Sequence, residues 1–263
     1  MIEITESEFK KLSDYIRANY GIFLKEEKQS LLNARLATVI EQNHFTNFSE
    51  YYDYIVADAT GYATSVLIDR VTTNYTYFMR EPEHFRFMTE SALPYFEQVI
   101  PDHGCSTGEE PYTVAIILEE YFKMKRQWDK KLLATDISNN VLERARAGVY
   151  DAKQLELLPP VWKLSYFTRT GESYAVKENI KKEVIFQKQN LVQNFKFQFK
   201  RKFHMIFCRN VMIYFDKRTR DALVNNFYEI TEPGGYLFIG HTESLDRETT
   251  KYKFIAPAIY RKM

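Results

Sequence analysis

His103-Gly104-Cys105-Ser106-Thr107-Gly108-Glu109-Glu110-Pro111-Tyr112 decides how this chain is read. Two glycines four apart, a carboxylate pair and a proline run into an amphipathic stretch over 112–122, the pattern of a tight loop feeding a helix N-terminus. Such a loop is a place to hold a ligand. It is not the G-x-G-x-x-G of dinucleotide folds, and glycine loops are often plain turns, so its meaning rests on its surroundings.

Downstream, short apolar runs alternate with amphipathic segments. Leu132-Leu133-Ala134 stops at Thr135-Asp136, Val184-Ile185-Phe186 leads to Asn190, and Met205-Ile206-Phe207-Cys208 stops at Arg209-Asn210. Helical spacing fills 112–125, 140–147 and 218–230. Pro233-Gly234-Gly235 reads as a turn into a strand at 236–239, and 254–260 reads as a final strand. That last pair has no helix between its members, which predicts an antiparallel edge. The whole layout predicts an α/β fold with a doubly wound sheet whose ligands sit beyond the carboxyl ends of the strands. Between residues 162 and 187 the aromatic residues Tyr166, Phe167 and Tyr174 flank a polar turn at Thr170-Gly171, which reads as a small antiparallel insertion or an irregular loop.

Upstream the spacing is helical throughout. Thr5-Glu6-Ser7-Glu8 is a capping box, and Phe9, Leu12 and Ile16 recur at helical spacing until Gly21. Leu32, Leu36, Val39 and Ile40 mark a second buried face, Tyr51, Tyr52 and Ile55 a third, and Val66, Leu67 and Val71 a fourth. Residues 1–72 therefore read as an all-helical unit, and 73–263 as the α/β unit. Lys25, Lys28 and Arg35 put positive charge on the second helix, which is either a docking face for an acidic partner or a solvated face.

Composition narrows the classes. With 45% hydrophobic and 27% charged residues the chain is an ordinary globular protein, and Lys+Arg 36 against Asp+Glu 35 gives a net charge of +1, so no global field calls for nucleic acid. Cys105 and Cys208 make no disulfide framework and have no zinc-site spacing, so no metal is expected. The expected compartment is the reducing cytoplasm, with no leader and no membrane insertion.

Asp136 lies at the end of a strand, where a carboxylate can accept both hydroxyls of a ribose. The competing reading is a helix cap, a job that Ser138 or Asn139 can do instead. With the glycine loop, Asp136 points to an adenosine-type ligand.

Five runs stand in an order that resembles the chemotaxis-receptor (CheR) methyltransferases. They are Asn74-Tyr75-Thr76-Tyr77-Phe78-Met79-Arg80-Glu81-Pro82, Gly104 to Tyr112, Ala134-Thr135-Asp136-Ile137, Asn190-Leu191, and Phe207-Cys208-Arg209-Asn210-Val211-Met212-Ile213-Tyr214-Phe215. The resemblance covers nearly the whole chain. It implies a Rossmann-like S-adenosylmethionine-dependent methyltransferase sheet with an all-helical N-terminal receptor-recognition domain and a β-subdomain at about 162–187. The implied activity is methylation of glutamate side chains on chemoreceptor signalling helices, with S-adenosylhomocysteine as co-product. Implied cofactor contacts are Asn74, Thr76, Arg80, Glu110, Asp136, Asn190, Leu191, Arg209 and Asn210. Glu110 would face the methionine end, Asp136 the ribose, and Asn190, Leu191, Arg209 and Asn210 the adenine and pocket floor. Arg80 and Tyr214 would be catalytic. Lys25, Lys28 and Arg35 would meet the receptor, and the β-subdomain would take a receptor C-terminal peptide in some relatives.

An ionised carboxylate acceptor, with a reference pKa of about 4.3, needs no general base, which agrees with the lack of a Ser/His/Asp set. One departure from the family stands before the loop. Relatives carry an apolar strand there, whereas this chain has Val99-Ile100-Pro101-Asp102-His103: either 96–100 is a shortened first strand, or the chain skips a segment. Two other readings remain on the sequence alone, a methyltransferase acting on another acceptor and a non-catalytic cofactor-binding module.

Overall fold

The computed structural model describes residues 2–72, 76–99, 109–125, 128–193 and 201–263. Helices α1 (Glu6–Tyr20), α2 (Gln29–Gln42), α3 (Phe48–Ala57) and α4 (Tyr62–Val71) come first. The Thr5–Glu8 capping box forms in both directions, and Gly21 ends α1 at φ 68°. A Cβ on Gly21 would lie 2.6 Å from Val192 Cγ2 and 2.9 Å from Thr219 Cγ2, so the glycine also lets the α/β part approach closely. The core of this unit is Phe9, Leu12, Ile16, Leu32, Leu36, Ile40 and their neighbours, the apolar stripes that the spacing predicts.

Helix α5 (Pro82–Phe87) runs through one π turn (Met88–Ala92) into α6 (Leu93–Val99). A shortened first strand over 96–100 is therefore overturned as far as Val99, because Leu93 and Phe96 bury one face of a continuing helix. Helix α7 (Glu109–Phe122) is apolar on nearly every side, with Tyr112, Val114, Ile116, Ile117 and Leu118 buried, as a helix enclosed by the rest of the domain must be.

Strand β1 (Leu132–Asp136) pairs in parallel with β5 (Val184–Lys188). Helix α8 (Asn139–Ala147) follows β1 and packs on both strands. Strand β6 (Phe203–Cys208) crosses through α9 (Lys217–Ile230) to the parallel β7 (Thr231–Ile239). The antiparallel edge is present, but as a hairpin of β8 (Lys253–Ala256) and β9 (Ile259–Arg261), in the order β6-β7-β9-β8. Ala258 at φ 60° turns the chain where the sequence reads as one strand. Pro233-Gly234-Gly235 lies inside β7 rather than in a turn before it, at a shift of register with β6; Gly234, at φ 81°, leaves room for the Tyr95 hydroxyl. Among the described residues no strand joins β1 to β6, and a cavity opens between them.

The insertion is a three-stranded antiparallel sheet of β2 (Val149–Asp151), β4 (Ser173–Val176) and β3 (Phe167–Thr170), in that order. It begins earlier than residue 162, because Gly148 ends α8 at φ 61° and Tyr150 then seats against Phe78, 4.9 Å between ring centroids. It also ends before β5, which belongs to the main parallel pair.

Candidate active site

The cavity has a volume of about 220 Å³ and runs along β1 and β6, from Leu133 and Phe203 to Asp136 and Cys208 at their carboxyl ends. Leu142, Phe186, Leu191 and Val211 contribute apolar wall. Among its described lining residues the charged groups are Glu109, Glu110, Asp136 and Arg209, three carboxylates against one guanidinium.

Arg209 is the hub. Its side chain is 1% exposed, its Nη1 donates to Glu110 Oε2 at 2.6 Å, and its Nε donates to Glu81 Oε2 at 3.2 Å. Its Nη2 donates to the carbonyl of Arg80, and the guanidinium lies over the Phe85 ring. A planar fork is suited to bridging two carboxylates and a carbonyl at once. The backbone around it is strained: Met79 at φ 61°, Glu81 at φ 56° and Asn210 at φ 59° are left-handed without being glycine. Such positions cost about 1–3 kcal/mol each and persist only where the surroundings hold them.

Burial pushes the Glu110 carboxyl up to about 7 and outweighs the lowering pull of Arg209. For Glu81, burial also pushes upward, but Arg209, the His241 N–H and the two imidazoles outweigh it, leaving this carboxyl below the usual range. Burial raises Glu109 against its own N–H, Arg144 and Gln154, and raises Asp136 against the N–H groups of Ser138 and Ile137. The three carboxyls that line the cavity are thus all short of positive charge. The cap question at Asp136 is settled by geometry: Ser138 Oγ accepts from Val141 N at 3.1 Å and caps α8, while the Asp136 carboxylate accepts the N–H groups of Ser138, at 2.8 Å to Oδ1, and Ile137.

Two family models match the chain: one described as CheR methyltransferase, all-alpha domain, over residues 7–72, and one described as CheR methyltransferase, SAM binding domain, over residues 74–260. The chain belongs to the CheR methyltransferase family. It is 40% identical over 273 residues to a chemotaxis protein methyltransferase of Borreliella burgdorferi, covering 99% of this chain and 96% of that one. It is 34% identical to chemotaxis protein methyltransferase 2 of Vibrio cholerae, covering 94% and 88%, and 30% identical to the chemotaxis protein methyltransferase of Escherichia coli, covering 98% and 92%. The protein is an S-adenosylmethionine-dependent methyltransferase of chemotaxis. No described helix is long and apolar enough to cross a membrane.

Of the residues that the family resemblance singles out, Thr76, Glu110, Asp136, Leu191 and Arg209 line the cavity. Arg80, Asn210 and Tyr214 are not among the lining residues, and Tyr214 packs against the core of the helical unit. Arg209, which the resemblance places at the adenine and pocket floor, lines the cavity with its guanidinium engaged by Glu110, Glu81 and the Arg80 carbonyl. Asn190 is not among the lining residues: its Nδ2 donates to the Asn19 carbonyl at 2.8 Å and its Oδ1 accepts Val192 N at 3.0 Å, which ties the α/β part to α1. Asn74, Cys105 and the glycine loop 103–108 lie outside the described residues.

Lys25 and Lys28 are exposed just before α2. Arg35 is half-buried and donates to the carbonyl of Val71 at 2.6 Å, so part of its charge is spent capping the C-terminal end of α4. Sequence reasoning missed Glu81 and Glu243 as organising carboxylates, although Glu81 stands inside a quoted run and Glu243 follows the end of a strand, the same signal that marked Asp136. Glu81, His84 and His241 bring potential ligand atoms within 4.8 Å of one another. That spread is wider than the roughly 3.4 Å that tetrahedral bonds of about 2.1 Å would impose, and Glu81 already serves Arg209.

Proposed function

We propose that the protein transfers the methyl group of S-adenosylmethionine to glutamate side chains of chemoreceptors, forming methyl esters, in the cytoplasm. The observation that carries this reading is the excess of buried carboxylate around an otherwise apolar cavity. Those residues fit the cofactor: Asp136 offers an acceptor for ribose hydroxyls, Glu110 an anion for an ammonium group, and Leu142, Phe186 and Leu191 apolar surface for a base. When bound, the cofactor supplies an electrophilic methyl group on a sulfonium.

The chain's own residues then have three tasks. Thr76, Glu110, Asp136 and Leu191 bind and orient, with Asn74 and Asn210 as further contacts, and the apolar wall excludes water from the transfer. Arg209 holds Glu110 in place and is itself too enclosed to meet an acceptor. Arg80, through its fork, and Tyr214, through its hydroxyl, orient the acceptor carboxylate, which is ionised at neutral pH and asks for no base.

Residues 1–72 recognise the receptor. Lys25 and Lys28, exposed on that unit, steer a glutamate-rich helix, while Arg35 contributes from a more enclosed position. The outer edge of β3, where Thr168, Arg169 and Thr170 are exposed, would accept a receptor C-terminal peptide as an added strand. The test is transfer of radiolabelled methyl from S-adenosylmethionine to receptor-bearing membranes. Label that is released as methanol by mild base supports the ester, whereas base-stable label or none refutes it.

A further inference from the structure

After β6 the chain makes a short, unusual turn. Asn210 is left-handed, Val211 follows, and Met212–Tyr214 form a single 3-10 turn. This turn sets where Asn210 and Tyr214 stand. Its inner backbone amides face a carboxylate from another part of the chain. Glu243 Oε2 accepts Asn210 N at 3.1 Å and Gly240 N at 2.7 Å, Oε1 accepts Ile213 N at 3.1 Å, and the carboxylate also takes the N–H of Met212. The turn that carries Glu243 closes on itself through Glu243 N to the Gly240 carbonyl at 2.8 Å.

Gly240 completes the cradle. A Cβ there would lie 2.6 Å from Asn210 Nδ2, 2.9 Å from Asn210 N and 2.9 Å from Glu243 Oε2, so only glycine lets the two turns approach this closely. Four convergent amides make an anion site, filled here by the protein's own carboxylate. On its far side the 3-10 turn is held by the helical unit, where Phe23 N donates to the Tyr214 carbonyl at 2.8 Å and Ile22 bridges Phe215. The turn is therefore clamped between Glu243 and the segment that ends α1.

We propose that Glu243 is a positioning residue for methyl transfer: its carboxylate holds the Asn210–Tyr214 turn in the one conformation that presents the Tyr214 hydroxyl to the acceptor carboxylate. The proposal rests on the reading of Tyr214 as the acceptor-orienting residue. Glu243 touches neither cofactor nor acceptor. It acts through the turn, so its loss reaches the rate without reaching the cofactor contacts at Glu110 and Asp136.

The test uses the full chain with receptor membranes. Glu243→Gln keeps the volume and replaces one acceptor oxygen with an NH2 group, which cannot accept the amides that oxygen held. Gly240→Ala pushes on Asn210 from the other side and is the second variant should the first fail to fold. Each is expected to lower kcat at least tenfold, because displacements of about 1 Å cost that much or more, while affinity for S-adenosylhomocysteine falls by a smaller factor than kcat, since Asn210 is the one proposed cofactor contact on this turn. A double variant Glu243→Gln/Tyr214→Phe is expected to be no slower than Tyr214→Phe alone, the non-additivity of residues that act as one unit. Glu243→Gln at wild-type kcat, with Tyr214→Phe slow, overturns the proposal and leaves the Tyr214 reading standing; so do losses that multiply in the double variant. Tyr214→Phe at wild-type kcat overturns the Tyr214 reading and the proposal with it.

Discussion

Lowering the pH from 8 to 6 is predicted to weaken S-adenosylhomocysteine binding about tenfold through one carboxyl, that of Glu110. Burial pushes this group up to about 7, so near pH 7 the ligand-free protein carries it half protonated. An ammonium group seated beside Glu110 favours the ionised form, and binding therefore expels the proton. The sign follows: affinity is full above pH 7 and falls towards tenfold per unit below it, about 1.4 kcal/mol between pH 8 and pH 6. Calorimetry at pH 7 in two buffers of different ionisation enthalpy should count about half a proton released per ligand bound. Glu110→Gln removes the titrating group, so its affinity should be weaker at pH 8 and nearly level with pH. A wild-type affinity that does not change between pH 8 and pH 6, or a Glu110→Gln variant with the same slope as wild type, would refute the argument.

Arg209→Gln removes the one cation that Glu81 and Glu110 share and is expected to cost about 3–5 kcal/mol at pH 7, read by urea unfolding, with less than about 1 kcal/mol counting against the hub. Arg35→Ala should cost about 1–2 kcal/mol of stability through the lost C-terminal cap of α4, whereas Lys25→Glu with Lys28→Glu should leave stability alone and slow receptor methylation; equal stability losses in the two variants would contradict the distinction. Ser138→Ala should cost about 1 kcal/mol as a lost helix cap and leave S-adenosylhomocysteine affinity unchanged, because Asp136 keeps its bond to the residue 138 backbone; a large affinity loss would mean that the cap and the ribose contact are one device.

The sequence was most legible where one local rule decides the outcome. The capping box at Thr5 and Glu8, the left-handed stop at Gly21 and the stripes of α1 to α4 follow from residue type and spacing, and the structure has each of them. Asp136 was legible as a strand-end carboxylate with its own capping neighbour. Short strands were less so. Residues 254–260 read as one strand because nothing in the side chains announces a left-handed Ala258, and the insertion read late because three residues of β2 carry too short a pattern to stand out. Residues 96–100 read as a shortened first strand, or a skipped segment, through their place before the glycine loop, whereas Phe96 to Val99 belong to helix α6, with Phe96 buried.

The sequence by itself determined the helical unit, the parallel β/α order and the family, since these rest on periodicity and on motifs in a fixed order. The tertiary structure decided which groups the described motif residues meet. Arg209 and Asn190 stand in motifs that suggest ligand contact, but one is folded onto Glu81 and Glu110 and the other onto the α1 terminus. Arg209 is 128 residues from Glu81 and 99 from Glu110. The charge balance of a buried cavity depends on which groups the fold brings within a few ångströms and how far it removes them from water. Neither is a property of any one stretch of chain.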